Sequence, residues 1–505
     1  TNRANFGGSF LFAGLKVSNT VTGAQINLTP LQQYECVVAP GDCVVAPSMV
    51  TPNITPNQFS IITGNDFVGL SQWDYAWYAN DDWKVSQSFT MSLGLRQELQ
   101  THLGHKDNFA PRFSLAWSPD KQHKSTIRAG TGIFYTIVVA AVTQAATLGN
   151  GIEQHQVLIP TPDFFLSNIP TTFSVTPADT EITEKDADLR MPYLWMSSVS
   201  YERSLPLKIQ GSVQYSYQRG VHLLREVDLN QPFDQYVPSP VRPDPNLGAV
   251  LDVQSTGAST RNEIRFTLNR RLGKVLLFSS YTYSRTYTNT DSWTTLAQNT
   301  YDLASDWGRA AWDFRNRGFI GGNVQLPYGI NFSPFILAQT GGPYNILAEE
   351  TTGYNEPQDV ERPAFAAAGT PHAVLTPYGL LNPSPVQGDS IIPRNFGQAP
   401  GSFTVNLNLG KTFGLGPALN NTNQGMGGGR GQGGGGFGGG RGGGPGGGFS
   451  DSGHKYSLTV YMYAQNLLNN VNFSSITPNL TSPLFNDPEG AAAARVINMG
   501  IRFNF

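Results

Sequence analysis

The sequence predicts an all-β chain, an antiparallel transmembrane β-barrel, and three observations predict it. Apolar and polar residues alternate along segments of about ten to fifteen residues, the period of a strand with two unlike faces. The connections between these segments are short and long in turn. Charged residues make up only 14% of the 505 residues while aromatics reach 11%, against roughly 25% charged residues in an ordinary soluble domain.

About fourteen strand segments follow one another, near 6–14, 72–84, 88–100, 109–118, 124–136, 190–204, 206–219, 261–272, 274–288, 312–325, 329–341, 400–412, 455–467 and 494–505. Phe89, Met91, Leu93 and Leu95 alternate with Thr90, Ser92, Gly94 and Arg96. Val213, Tyr215 and Tyr217 alternate with Gln214, Ser216 and Gln218, and Ile264, Phe266 and Leu268 with Arg265, Thr267 and Asn269. Phe403, Val405, Leu407 and Leu409 repeat the pattern, as do Ile497, Met499, Ile501, Phe503 and Phe505 at the chain end. No window shows an apolar stripe of helical period and length. Strands of this length suit a tilted membrane crossing of about nine to eleven residues better than a sandwich strand of about five or six. Aromatics such as Trp73, Trp77, Trp117, Trp195, Tyr281 and Phe503 sit near strand ends, where amphipathic rings form the girdles of an outer-membrane barrel.

Short connections at 85–87, 119–123, 205, 273 and 327–328 alternate with long ones at 15–71, 137–189, 220–260 and 342–399. Short periplasmic turns and long extracellular loops are the pattern of an outer-membrane barrel. One connection on the short-turn side departs from it. Residues 413–454 hold a tract, Gly425 to Gly448, in which 18 of 24 residues are glycine; it buries too little to offset its ordering entropy and is expected to be disordered.

Composition excludes other classes. A net charge of -3 argues against a nucleic-acid partner bound by bulk positive charge, and Arg430 and Arg441 are too sparse in the glycine tract for an RNA-binding segment. Two cysteines cannot complete a four-ligand zinc site. Cys36 and Cys43, each opening a Cys-Val-Val-Ala-Pro unit, are expected to pair as a disulfide in a surface loop. His102, His105 and Asp107 read as solvated loop residues rather than a metal site, so no metal and no cofactor is expected. Adjacent acids, Asp81 with Asp82 or Glu349 with Glu350, face opposite ways on a strand, and no nucleophile elbow, zincin helix or phosphate loop occurs; the chain is not expected to be an enzyme.

The ordered motifs resemble a known family. Tyr78-Ala79-Asn80-Asp81-Asp82-Trp83-Lys84-Val85, Asn108-Phe109-Ala110-Pro111-Arg112-Phe113, Asp228-Leu229-Asn230-Gln231-Pro232 and Ala464-Gln465-Asn466-Leu467-Leu468-Asn469 resemble the C-terminal barrel of TonB-dependent outer-membrane receptors. The branch resembled is the Oar-like one, which carries a carboxypeptidase-regulatory-like domain. The resemblance implies a barrel of roughly 22 strands with a plugged lumen, of which this chain is the C-terminal part. It implies uptake of a bulky nutrient, an oligosaccharide or a peptide. It also implies a TonB complex that engages a plug and TonB box not present in this chain. A complete smaller barrel, a passive porin-like channel and a surface structural or adhesive β protein are the alternatives.

Site expectations follow from the faces. Arg96, Glu98, Arg265 and Arg502 stand at polar positions and are expected to face the lumen. Tyr34, Tyr236, Trp293 and Trp307 lie in long loops as candidate ligand contacts. Phe505, a terminal aromatic, is expected to serve the barrel-assembly machinery, and outer-membrane lipid to surround the apolar face.

Overall fold

The computed structural model describes residues 5–12, 14–122, 124–170, 180–237, 241–348, 362–418 and 454–505. Thirteen long strands form one continuous antiparallel sheet. In chain order they are β1 (Asp74–Ser86), β2 (Phe89–Gln100), β3 (Asn108–Trp117), β4 (Ser125–Tyr135), β5 (Tyr193–Leu205), β6 (Ile209–Asp228) and β7 (Val250–Leu272). They continue with β8 (Val275–Thr288), β9 (Asn316–Leu326), β10 (Ile330–Gln339), β11 (Ser402–Ala418), β12 (His454–Gln465) and β13 (Val496–Asn504). Each pairs with its sequence neighbours. Short turns close one end. Gly273 at φ 55° makes the tight β7–β8 turn, a left-handed conformation open to a residue without Cβ. Leu207 and Tyr328 hold φ of 61° and 63° in the β5–β6 and β9–β10 turns.

Among the described residues, no register pair joins the outer edges of β1 and β13, and the barrel is not closed. Both strands run from the long-loop end to the short-turn end, because the number of strands is odd.

The segment 6–14 is not a membrane strand. Only Ser9–Leu11 is extended, and it pairs with Gln58–Gly64. Gln58–Gly64 pairs in turn with Gln154–Pro160, that strand with Thr180–Lys185, and the last runs parallel to Val250–Val253 at the loop end of β7. The alternation at 6–14 belongs to this small outer sheet, where Phe59 is fully buried against Phe10 at 4.7 Å and Phe164 at 5.1 Å between ring centroids. The long loops are thus built structure. Two helices of 9 residues, α1 (Pro30–Val38) and α2 (Ala140–Leu148), occur in them. They are too short to show a periodic stripe. For α1 the readable signal is at its start, where the N-cap Thr29 forms a capping box with Gln32 around Pro30 at the first helical position. Cys36 and Cys43 are disulfide-bonded, Cα to Cα 4.3 Å, and Cys36 joins Val17, Leu28 and Val50 in a local core.

Strands β6 and β7 outrun their expected ends at 219 and 261. They stay paired up to Asp228 with Leu251, through shifts at Val221, Leu223 and Arg225. Beyond the membrane both faces meet loop residues, so alternation lapses while the ladder continues. The glycine tract at 425–448 lies outside the described residues, as do Glu349 and Glu350. No helix is long and apolar enough to cross a membrane among the described residues.

Candidate functional site: the inner wall and its outer cap

Register sorts side chains onto two faces, because alternate residues point oppositely and paired residues share a face. Starting from Arg265, the rows Gln214–Arg265–Thr282 and Ser216–Glu263–Ser284 run across β6, β7 and β8. The polar set continues through Asn406 and Asn408 of β11 to Tyr463 opposite Asn498, and Thr459 opposite Arg502. Arg96 lies opposite Tyr78 and Ala110. The other face carries Phe266 between Val213 and Tyr281, and Ile501, Phe503 and Met499 on β13. All four expected lumen residues therefore share the polar face.

Their partners are charged. Arg96 donates to Glu98, and Glu263 accepts from Arg265 at 2.7 Å and from Arg261. A cavity of about 540 Å³ opens on this face, lined by Asn80, Asp82, Ser92, Arg112, Gln214 and Arg265 among others. Arg112 lies over the Phe134 ring, 4.3 Å from its centroid, a cation–π contact. Asp82 accepts from Ser92 on this face, while Asp81 accepts from Trp83 on the other, so the adjacent acids do part. Arg112 and Phe134 were legible as every-second-residue positions and were missed because β3 and β4 alternate less cleanly; Glu263 stands two residues before Arg265 on the same face of β7.

Loops tied to one another form a cap at the long-loop end. Asp306 accepts from Arg225 and, at 2.6 Å, from Arg362; Arg225 and Arg362 are 0% and 2% exposed. Arg394 donates to Asp291 at 2.6 Å. These bonds tie the upper end of β6 to the loops before β9 and β11. Nearby, burial and the adjacent Glu226 push the Glu181 carboxyl up to about 8, and burial pushes Glu226 up to about 7. Burial lowers the Arg362 guanidinium to about 10. Both carboxyls favour the proton in the folded cap, so their contribution to cap stability is complete below about pH 4.5 and falls as pH rises through 7 to 8. Protection of the amides in Thr180–Lys185 and around Glu226, taken relative to their intrinsic exchange rate at each pH, is expected to fall between pH 5 and pH 8.5. The double variant Glu181→Gln with Glu226→Gln is expected to flatten that dependence.

The loop aromatics are dispersed. Tyr34 meets Phe12 edge-on at 5.3 Å, and Trp293 packs on a core of Val138, Val142, Leu189 and Val253. Tyr236 is half-buried beside Gln298, and Trp307 is exposed. They do not converge on one site. His105 bonds Asp188 at 2.6 Å, a contact that holds the Asp188 carboxyl below its usual range. Among the described residues no group of three or more His, Cys, Asp or Glu is placed to hold a metal ion. Phe505 is 95% exposed and stacks on Phe503.

The comparisons fit this architecture. A model of the outer membrane beta barrel domain matches residues 51–107 and 103–421. The outer membrane transporter YddB of Escherichia coli superposes with a TM-score of 0.53 at 11% identity, over 88% of this chain and 47% of its own. The siderophore receptor PirA of Acinetobacter baumannii gives 0.46 at 10% identity, over 88% and 52%. A variant of the ferric enterobactin receptor PfeA of Pseudomonas aeruginosa gives 0.45 at 11%, over 88% and 49%. The chain thus spans about half the length of these structures. No curated protein matches it by sequence. A polar-lined, apolar-faced antiparallel sheet under a folded outer cap, matched over most of its length, belongs to the outer membrane beta barrel domain family and to the outer membrane of a Gram-negative bacterium.

Proposed function

We propose that this chain is barrel wall and outer cap of a TonB-dependent uptake transporter of the Oar-like branch, which admits a bulky oligosaccharide or peptide. The observation that carries the reading is the unclosed sheet of thirteen strands whose two edges run the same way. Unpaired edges are untenable in lipid. Pairing β13 directly to β1, or to a second copy standing upright in the same membrane, would make a parallel seam. Antiparallel closure needs an odd number of further strands, and a barrel of roughly 22 would add about nine. Such a barrel is wide enough to need a plug, and a plug is what a TonB complex engages.

The function follows as a conduit, with the charged inner wall facing plug and cargo and no catalysis of its own. In a strain producing the protein, uptake of oligosaccharides or peptides too large for porins is expected to stop on deletion of the gene and equally on deletion of TonB. Uptake that survives loss of TonB would favour a passive channel. A gene deletion that alters surface attachment and no uptake would favour the adhesive reading.

A further inference from the structure

The apolar outer face is dented at one place. One register row crosses β8 to β11 as Tyr281, Gly318, Ala338 and Phe403. Two nearly absent side chains lie between two rings, and the next outward positions on β9 are Ile320 and Gly322. The result is a groove of about 1000 Å³, at the upper end of the roughly 300–1,000 Å³ of small-molecule sites. Its wall is fixed rather than incidental. The Phe403 amide donates to Asn472 Oδ1 at 2.7 Å, and Asn470 Nδ2 donates to the Phe403 carbonyl at 3.3 Å.

The groove is amphipathic along its length. Its lower part opens between Tyr281 and Phe403, which are 45% and 41% exposed. Its upper rim, at the long-loop end, holds Arg315, Asn316 and Gln398. Positive charge is in surplus there. Asp313 is shared by Arg309 at 2.8 Å and Arg315 at 3.0 Å, so one carboxylate faces two guanidiniums. Arg285, on the same outward face, donates to the Tyr283 hydroxyl at 2.7 Å and has no carboxylate within ion-pair distance among the described residues. Arginine forks suit phosphate.

We propose that this groove binds one phosphorylated lipid of the outer leaflet, its acyl chain across Gly318 and Ala338 and its phosphate between Arg285 and Arg315. The site opens to lipid because its floor lies on the apolar face. It lies at outer-leaflet depth because it adjoins the long loops, and that leaflet of a Gram-negative outer membrane is phosphorylated glycolipid. The inference rests on the outer-membrane placement and not on the transport reading.

The test uses the protein extracted from native outer membranes in mild detergent, with bisphosphorylated lipid A or its dephosphorylated form as probe. Retention is read by native mass spectrometry. Loss of charge-assisted hydrogen bonds is expected to cut retention of the phosphorylated probe about tenfold in the variant Arg285→Gln with Arg315→Gln, with the dephosphorylated probe unaffected. Ala338→Trp, which fills the groove, is expected to reduce both. Heat-modified gel mobility checks folding, and if the tryptophan variant does not fold, the charge variant decides. Equal retention by wild type and the charge variant would overturn the proposal. So would equal displacement by phosphatidylethanolamine.

Discussion

Replacing Asp306 by alanine is expected to destabilise the outer cap by about 3–5 kcal/mol, the cost of breaking a buried ion pair from one side. Asp306 is the shared acceptor of Arg225 and Arg362, and all three side chains are almost fully buried. Its removal leaves two guanidiniums in a low-dielectric site without a counter-charge. Neither can shed its proton cheaply, although burial already lowers both. Water must then enter, and the loops around Arg225, Asp306 and Arg362 come apart. Limited proteolysis should cut these loops much faster in Asp306→Ala, while heat-modified gel mobility of the strands stays unchanged. Asp306→Asn keeps shape and part of the bonding and should fall between. Asp188→Ala, which removes exposed pairs with Arg190 and His105, should change little, because exposed ion pairs contribute about 0–1 kcal/mol. An equal effect at Asp188 would show that the cap is held by something other than this network.

Phe266→Arg is expected to cost about 2–4 kcal/mol, the penalty of an arginine facing lipid near the bilayer midplane. Phe266 lies midway along the crossing part of β7, on the apolar face, stacked with Tyr281 at 6.5 Å. Thr267→Arg, one residue on, points the same charge to the opposite face, opposite Ser212 and Ser280. It should cost little, since that face is polar. The two variants place the same charge one residue apart in register, and Phe266→Arg also removes the ring stacked on Tyr281. Urea unfolding in lipid vesicles measures both, and similar losses would contradict the assignment of faces.

Legibility in the sequence was uneven for physical reasons. Thirteen of the fourteen expected segments are barrel strands, because lipid on one side and polar groups on the other impose a period of two on every crossing. The short turns were legible for a similar reason, with Gly273 and Pro327–Tyr328 set at tight reversals. Above the membrane that constraint ends. The outer sheet of Gln58–Gly64 and Gln154–Pro160, and the parallel pairing of Thr180–Lys185 with the upper end of β7, join segments distant in sequence. Segment 6–14 alternates and yet is not a crossing, because small outer sheets alternate too. The charged residues of the inner wall could be found from parity, as with Arg96 and Arg265. The Arg225–Asp306–Arg362 network could not, since its members lie 56 or more residues apart on either side of Asp306.

The most direct test of the account is spin-label accessibility along β7, with a nitroxide placed in turn at each position from 261 to 268 in the protein within outer-membrane vesicles. Ile264, Phe266 and Leu268 are expected to show high collision rates with oxygen, which concentrates in lipid. Arg261, Glu263, Arg265 and Thr267 are expected to show low oxygen rates and to contact a water-soluble nickel reagent instead. A period of two in antiphase between the two reagents confirms a membrane wall with a polar lumen. Uniform access of the nickel reagent to both sets would contradict it.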